Sequence, residues 1–302
     1  MTARIANCLL PLSLILLIAP TFAADQSDAT VRRGYVDGRF GQMHYYIVTP
    51  AGATPKHAPI VFFHQNPKSG VEYEFLLSDL GRDRVAIAID TPGYGGSDRP
   101  PVPPTMEQVA GSMADAIEAL GYGGSHKNKV DVFGFHTGAY IASELAVSRP
   151  DLVRRVVLSG IAFKSPAERQ QILDALPKEY SFPEDATRLL NRWYRIVTTR
   201  EPGVTLQRAQ RLFHEDTKAL GYWWFAYHAV WNWPVEERLP KITQPVLIVE
   251  PHEMLLEDTR RAHQQLLPSA TYVELPELRV ESRVFETGSP LYAREMRKWL
   301  DR

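Results

Sequence analysis

One cysteine, Cys8, occurs in the 302 residues of the chain. A lone thiol excludes an intramolecular disulfide and any cysteine-rich metal site. Net charge is also lacking: 34 Lys and Arg stand against 35 Asp and Glu, a balance that gives no support for a nucleic-acid or acidic-lipid partner. Long hydrophobic runs are missing as well. The run from about Leu9 to Ala19 is shorter than the roughly 20 residues a bilayer span needs. It follows Arg4 and ends in Thr21-Phe22-Ala23-Ala24, small residues of the kind a signal-peptidase site requires. Residues 1–24 are therefore expected to be a signal peptide, the alternative being an uncleaved anchor. Cys8 lies before the run rather than at its end, which argues against a lipoprotein. Cleavage would leave an exported chain, periplasmic or secreted, with no cysteine and no membrane partner. No internal repeat is present.

What the chain does contain is alternation. Arg33 to Val48 alternates in polarity and contains Asp37-Gly38, a hairpin turn signal. Short apolar runs then recur at Pro59–Phe63, Val85–Ile89, Val130–Phe133, Val156–Leu158, Val246–Val249 and Tyr272–Leu275. Most lack alternation, as strands buried on both faces of a parallel sheet do. Helical stretches separate them, and Thr105-Met106-Glu107-Gln108 is a capping box for a helix ending at Leu120-Gly121. The pattern predicts a wound α/β sheet. From about Lys164 to Leu239 the alternation stops. Helical patterns and the aromatic segment Tyr222–Trp233 take its place, with five of the six tryptophans. An insertion of this kind is placed to cover a site at the strands' C-terminal ends. Its aromatics are expected either to line an apolar pocket or to form the insertion's own core.

Four motifs, in order, carry a resemblance. Phe63-His64-Gln65-Asn66-Pro67-Lys68-Ser69 is similar to an H-G-x-P-x-S loop, and Asp90-Thr91-Pro92-Gly93-Tyr94-Gly95-Gly96-Ser97 to a D-x-P-G-x-G-x-S turn. Val130 to Ala139 reads as strand, tight turn and helix, with Gly134 and Gly138 two residues either side of His136. That is the spacing of the nucleophile elbow G-x-S-x-G. Leu239 to Val249 looks like the return from a cap to a core. Together these resemble the cap-bearing α/β-hydrolase superfamily over nearly all of the mature chain. The resemblance implies a mostly parallel eight-stranded sheet with flanking helices. A helical cap at 164–240 would be inserted between strands 6 and 7, dividing the core into 25–163 and 241–302.

The family's chemistry does not carry over whole. The elbow serine is replaced by His136, and no histidine follows His263, so the usual Ser–His relay cannot be assembled. The resemblance implies an oxyanion hole from the backbone amides of Gln65 and Thr137. It also implies an acid after the seventh strand, where Glu253 has the family's offset and Glu250 is the second candidate. Imidazole, with an unperturbed pKa of about 6.5, could act at the elbow as general base on water or as nucleophile. His64, His228, Trp231 and His252 are candidate substrate-binding residues, with a structural role open for His64 and His228. His64, His136 and His252 suit a metal by ligand type, but no motif such as H-E-x-x-H is present, and no metal or cofactor is expected. Ser69, Ser97 and Ser159 stand on no elbow. The sequence thus points to a hydrolase of a small, partly apolar ester-like or carbonyl substrate. The alternatives are a non-catalytic small-molecule binder and a lyase using His136 as base.

Overall fold

The computed structural model describes residues 30–52, 54–123, 129–179, 184–279 and 284–302 of the chain. The expected leader at 1–24 lies outside them. Eight strands form one sheet: β1 (Arg32–Gly38), β2 (Gly41–Val48), β3 (Ile60–Phe63), β4 (Ala86–Ile89), β5 (Val130–Phe135), β6 (Val153–Ser159), β7 (Val246–Pro251) and β8 (Thr271–Leu275). Their spatial order is β1-β2-β4-β3-β5-β6-β7-β8. β1 pairs antiparallel with β2, and β2 with β4, while β4 through β8 run parallel. Every expected strand is present. The hairpin turn falls two residues beyond its sequence signal: Gly38 pairs with Gly41 across Arg39 and Phe40. Gly41 supplies the positive φ of 115° that this tight connection needs.

The unbroken apolar runs are explained by two cores, one on each face. β3 shows the division. Val61 and Phe63 pack with α2 (Met106–Ala119) and α3 (Thr137–Ser148) on one face. Ile60 and Phe62 pack with α1 (Glu74–Leu80) and α10 (Val284–Leu300) on the other. A strand buried on both faces has no polar side to alternate with. α2 opens with the complete capping box, Thr105 accepting from the Gln108 amide and Gln108 from that of Thr105.

Five helices fill the stretch between β6 and β7: α4 (Pro166–Ala175), α5 (Thr187–Trp193), α6 (Leu206–Thr217), α7 (Phe225–Asn232) and α8 (Val235–Arg238). Among the described residues this stretch contains no strand. Buried polar groups tie it to the sheet's helices. Glu144 of α3 accepts from Trp233 Nε1 at 2.9 Å and pairs with Arg238. Arg208 of α6 bridges Glu74 at 2.7 Å and Glu286 at 2.8 Å. Removing Arg238 would strand the charge of the buried Glu144, so this contact fixes where the end of the stretch rests.

Candidate active site

β5 and α3 meet at His136 (φ 50°, ψ −116°), the one non-glycine residue with positive φ among those described. This conformation costs on the order of 1–3 kcal/mol and survives only where the surroundings over-determine it. The neighbouring glycines do so. A Cβ on Gly134 would overlap the Gly138 carbonyl, and one on Gly138 would overlap the carbonyl oxygen of Phe63. Backbone cannot yield as a flexible side chain can. The elbow therefore needs glycine at both places, whatever residue stands at the apex.

The His136 ring is held from several directions. It stacks on Phe135 with centroids 4.1 Å apart. Gly160, just past β6 at φ +66°, leaves the space its edge occupies; a Cβ there would overlap Cδ2 and lie 2.8 Å from Nε2. Glu253, in the turn after β7, brings Oε2 to 3.2 Å from His136 Nε2. The pair lacks the alignment of a hydrogen bond, a looseness common before substrate binds. Glu253 is itself oriented by the Leu255 amide, which donates to Oε1 at 2.9 Å.

Glu250, the other acid considered, faces differently. Its Oε2 accepts from the Gly160 amide at 2.8 Å, and it is fully buried. Burial pushes its pKa up to about 8, the Gly160 hydrogen bond opposing and the Glu253 charge adding to the rise. Glu250 is directed at the Gly160 amide, and the carboxylate that approaches the imidazole is Glu253.

The two expected oxyanion donors differ. Thr137 is the first residue of α3, where an amide has no acceptor within its own helix and lies at the positive end of the dipole. The Gln65 amide instead donates to Glu72 Oε1 at 2.9 Å, and the Gln65 side chain donates to Glu72 Oε2 at the same distance. Glu72 is buried and needs donors there. A carboxylate from the turn preceding α1 thus holds the amide expected in the hole. Nothing in the loop sequence announces this, since Glu72 is seven residues away.

His136 forms part of the wall of a cavity of about 510 Å³. Gln65, Asn66, Pro67 and Lys68 contribute from the loop after β3, and Met254 from the turn beside Glu253. The remaining wall comes from the stretch between β6 and β7: Arg192 on α5, Arg195 and Ile196 on the π-turn Tyr194–Thr198 that continues it, Thr199 and Glu201 just beyond, and Leu212, Asp216 and Tyr227. This wall is mixed and strongly charged. No tryptophan lines it among the described residues, which leaves the packing alternative for this segment. Trp233 and Trp224 are buried, and Trp231 packs against the core. Of the aromatic segment, Tyr227 faces the cavity, its hydroxyl donating to the Asn66 carbonyl at 2.8 Å.

The four expected substrate-binding residues lie elsewhere. His64 accepts from the Thr91 amide at Nε2 (2.9 Å), so Nδ1 carries the proton and donates to the Gln65 carbonyl at 2.8 Å; it is a loop-bracing group. His228 borders a separate cavity with Trp224 and Lys178, and burial lowers its pKa. His252 lies 3.1 Å from Glu274, and Trp231 is half-buried against the core. Ser69, Ser97 and Ser159 are engaged as a helix cap, with the Asp90 carbonyl, and with Tyr292. Among the described residues, His64, His136 and His252 do not converge. The group that does is His57, Asp83 and Asp301, whose two aspartates are already bridged by Arg84. Arg192 and Arg195 were legible in one sense only, as an i, i+3 pair on one helical face.

A strand order with β4 through β8 parallel, an elbow after the fifth strand and an acid after the seventh defines the class of protein. The fold is that of the α/β hydrolases, and residues 58–193 match a family model described as alpha/beta hydrolase fold. The enol-lactonase of Burkholderia xenovorans LB400 superposes with a TM-score of 0.69 at 19% identity, covering 89% of this chain and all of that one. Sequence relatives are hydrolases. The poly(3-hydroxyalkanoate) depolymerase of Ectopseudomonas oleovorans is 26% identical over 200 residues, 65% of this chain and 68% of its own length. The soluble epoxide hydrolase of Corynebacterium sp. is 27% identical over 118 residues, 39% of this chain and 38% of its own.

Proposed function

We propose that the protein is a hydrolase of a small ester-like or related carbonyl substrate, with His136 as general base and Glu253 as the carboxylate that orients it. The observation that carries this is the approach of Glu253 to His136 Nε2 at the apex of the elbow, in the wall of the 510 Å³ cavity. With Glu253 at Nε2 the ring proton is held on that side, leaving Nδ1 to accept a proton from water. The water oxygen attacks the carbonyl carbon as its proton passes to Nδ1. The oxyanion that forms is stabilised by the Thr137 amide and the α3 N-terminus. The imidazolium then returns the proton to the leaving oxygen. One imidazole thereby covers the base's part of the relay with no serine and no acyl-enzyme. The enol-lactonase and depolymerase relatives support an ester-bond substrate. The leader reading places the activity outside the cytoplasm.

General-base help of this kind is worth about 10²–10⁴-fold. The test is turnover of short-chain activated esters and lactones by the wild-type protein, His136→Ala and Glu253→Gln. Saturable turnover that falls by about that factor in His136→Ala, and less in Glu253→Gln, supports the reading. Undiminished turnover in His136→Ala overturns it.

A second reading, a non-catalytic binder, has one observation in its favour. The Gln65 amide is committed to Glu72, so half of the expected oxyanion hole is directed at a protein carboxylate. Ligand affinity without consumption of the ligand would identify this case.

A further inference from the structure

We propose that Met254 is the site at which a peroxide modifies this protein, and that the sulfoxide formed there weakens the hold of the His136 cavity on apolar ester chains. The second half rests on the placement of the active site at His136; the first half does not.

Selectivity follows from burial. Among the described methionines, Met43, Met106, Met113 and Met296 are at most 1% exposed, whereas Met254 is 76% exposed. A thioether is oxidised only where the oxidant can reach its sulfur. The Met43 sulfur also accepts the Ser112 hydroxyl at 3.4 Å, which engages a lone pair that attack on peroxide would use. The one cysteine, Cys8, falls in the expected leader, so no described thiol competes. The step is an oxygen transfer from hydrogen peroxide supplied by the surroundings. A sulfur lone pair attacks one peroxide oxygen, the O–O bond breaks, an S–O bond forms and water leaves. Sulfur is oxidised by two electrons and the peroxide is reduced by two.

The consequence follows from where Met254 stands. It borders the same cavity as His136 and directly follows Glu253. The turn around it is tied down on both sides. The Glu253 amide donates to the Pro251 carbonyl at 2.9 Å, the Leu256 amide to the Glu253 carbonyl at 3.2 Å, and the Leu255 amide to Glu253 Oε1. The side chain is thus anchored at the wall even though its end is exposed. Apolar side chains are few in that wall: Met254 shares it with Pro67, Ile196 and Leu212. Oxidation turns a flexible apolar thioether into a polar, chiral sulfoxide. An apolar chain lying over it must then strip water from the S–O group without offering a hydrogen bond in return.

The probes are dilute hydrogen peroxide, with p-nitrophenyl acetate and p-nitrophenyl butyrate as short and longer esters, applied to the wild-type protein and to Met254→Leu. Leucine keeps an apolar side chain of similar volume and has no sulfur. Peptide mass analysis is expected to find one added oxygen, on Met254, before any other methionine changes. Oxidation should raise the wild-type KM for the butyrate ester by about 5–100-fold, the range for burying an unpaired polar group. The acetate ester should suffer less, and kcat should change little. Methionine sulfoxide reductase should reverse the effect, and treated Met254→Leu should match its own untreated sample. Oxygen added first to another methionine would overturn the proposal, as would an unchanged KM after oxidation of Met254 or an equal loss in Met254→Leu. If the untreated protein turns over neither ester, the hydrolase reading fails, and the calorimetric dissociation constant for the butyrate ester replaces KM. Binding weakened at least about 5-fold by oxidation supports the proposal; binding unchanged, or absent before treatment, rejects its effect on the cavity.

Discussion

Gly160→Ala isolates the geometry on which the site depends. Two separate costs arise from one added methyl. The residue sits at φ +66°, where an L side chain costs about 1–2 kcal/mol. Its Cβ would also overlap the His136 ring, lying 2.8 Å from Nε2, and overpacking of this kind costs about 1–3 kcal/mol. The ring cannot slide back freely, because Phe135 is stacked on it at 4.1 Å. Swinging aside therefore takes Nε2 away from Glu253. The two costs separate in a double-mutant cycle with His136→Ala, where the backbone cost persists and the steric one vanishes. Thermal or urea unfolding of all four proteins should give Gly160→Ala a loss of about 2–5 kcal/mol in the His136 background. In the His136→Ala background the loss should be about 1–2 kcal/mol, a coupling of at least 1 kcal/mol. Turnover by Gly160→Ala should approach that of His136→Ala. Additive stabilities together with retained turnover would show that the ring does not rest on Gly160 and would refute the reasoning.

Glu250 gives a pH signature. Its folded-state pKa of about 8 stands above the ordinary 4.5, so the native state binds a proton that the unfolded state has released. Stability from this group is therefore greatest below about pH 4.5 and falls as pH rises toward 8, by up to about 5 kcal/mol at 1.36 kcal/mol per pH unit. Glu250→Gln removes the titration while keeping an acceptor for the Gly160 amide. Its stability relative to wild type should rise across that window and level off above it; a difference independent of pH would contradict the assignment. Restoring the family's serine should not restore its chemistry. No histidine follows His263, and His252 is engaged with Glu274 at 3.1 Å. Turnover by His136→Ser should stay at the His136→Ala level, and a gain of esterase activity would reveal a base placed elsewhere.

The order of the strands' apolar runs and the elbow were legible because each is a local statement. Two-faced burial writes itself into four or five consecutive residues, as in Ile60–Phe63. The steric demand at Gly134 and Gly138 comes from backbone within a few residues or from the adjacent β3, so it leaves the same spacing wherever the turn occurs. The family resemblance supplied the offset of Glu253 from β7, and the structure set it against His136.

The contents of the cavity were decided only by tertiary structure. The aromatic segment was compatible with a pocket lining or with packing, and Trp224 and Trp233 are turned into packing, because a large ring gains most where it is wholly removed from water. Long cationic side chains from α5 and its π-turn occupy the wall instead, their heads kept near solvent. Whether Gln65 offers its amide to a substrate or to Glu72 depended on where the turn before α1 docked. Composition and spacing determined the sheet, the elbow and the loss of the serine. Which side chains share one cavity depended on elements as far apart in the chain as Lys68 and Arg195, brought together by packing alone.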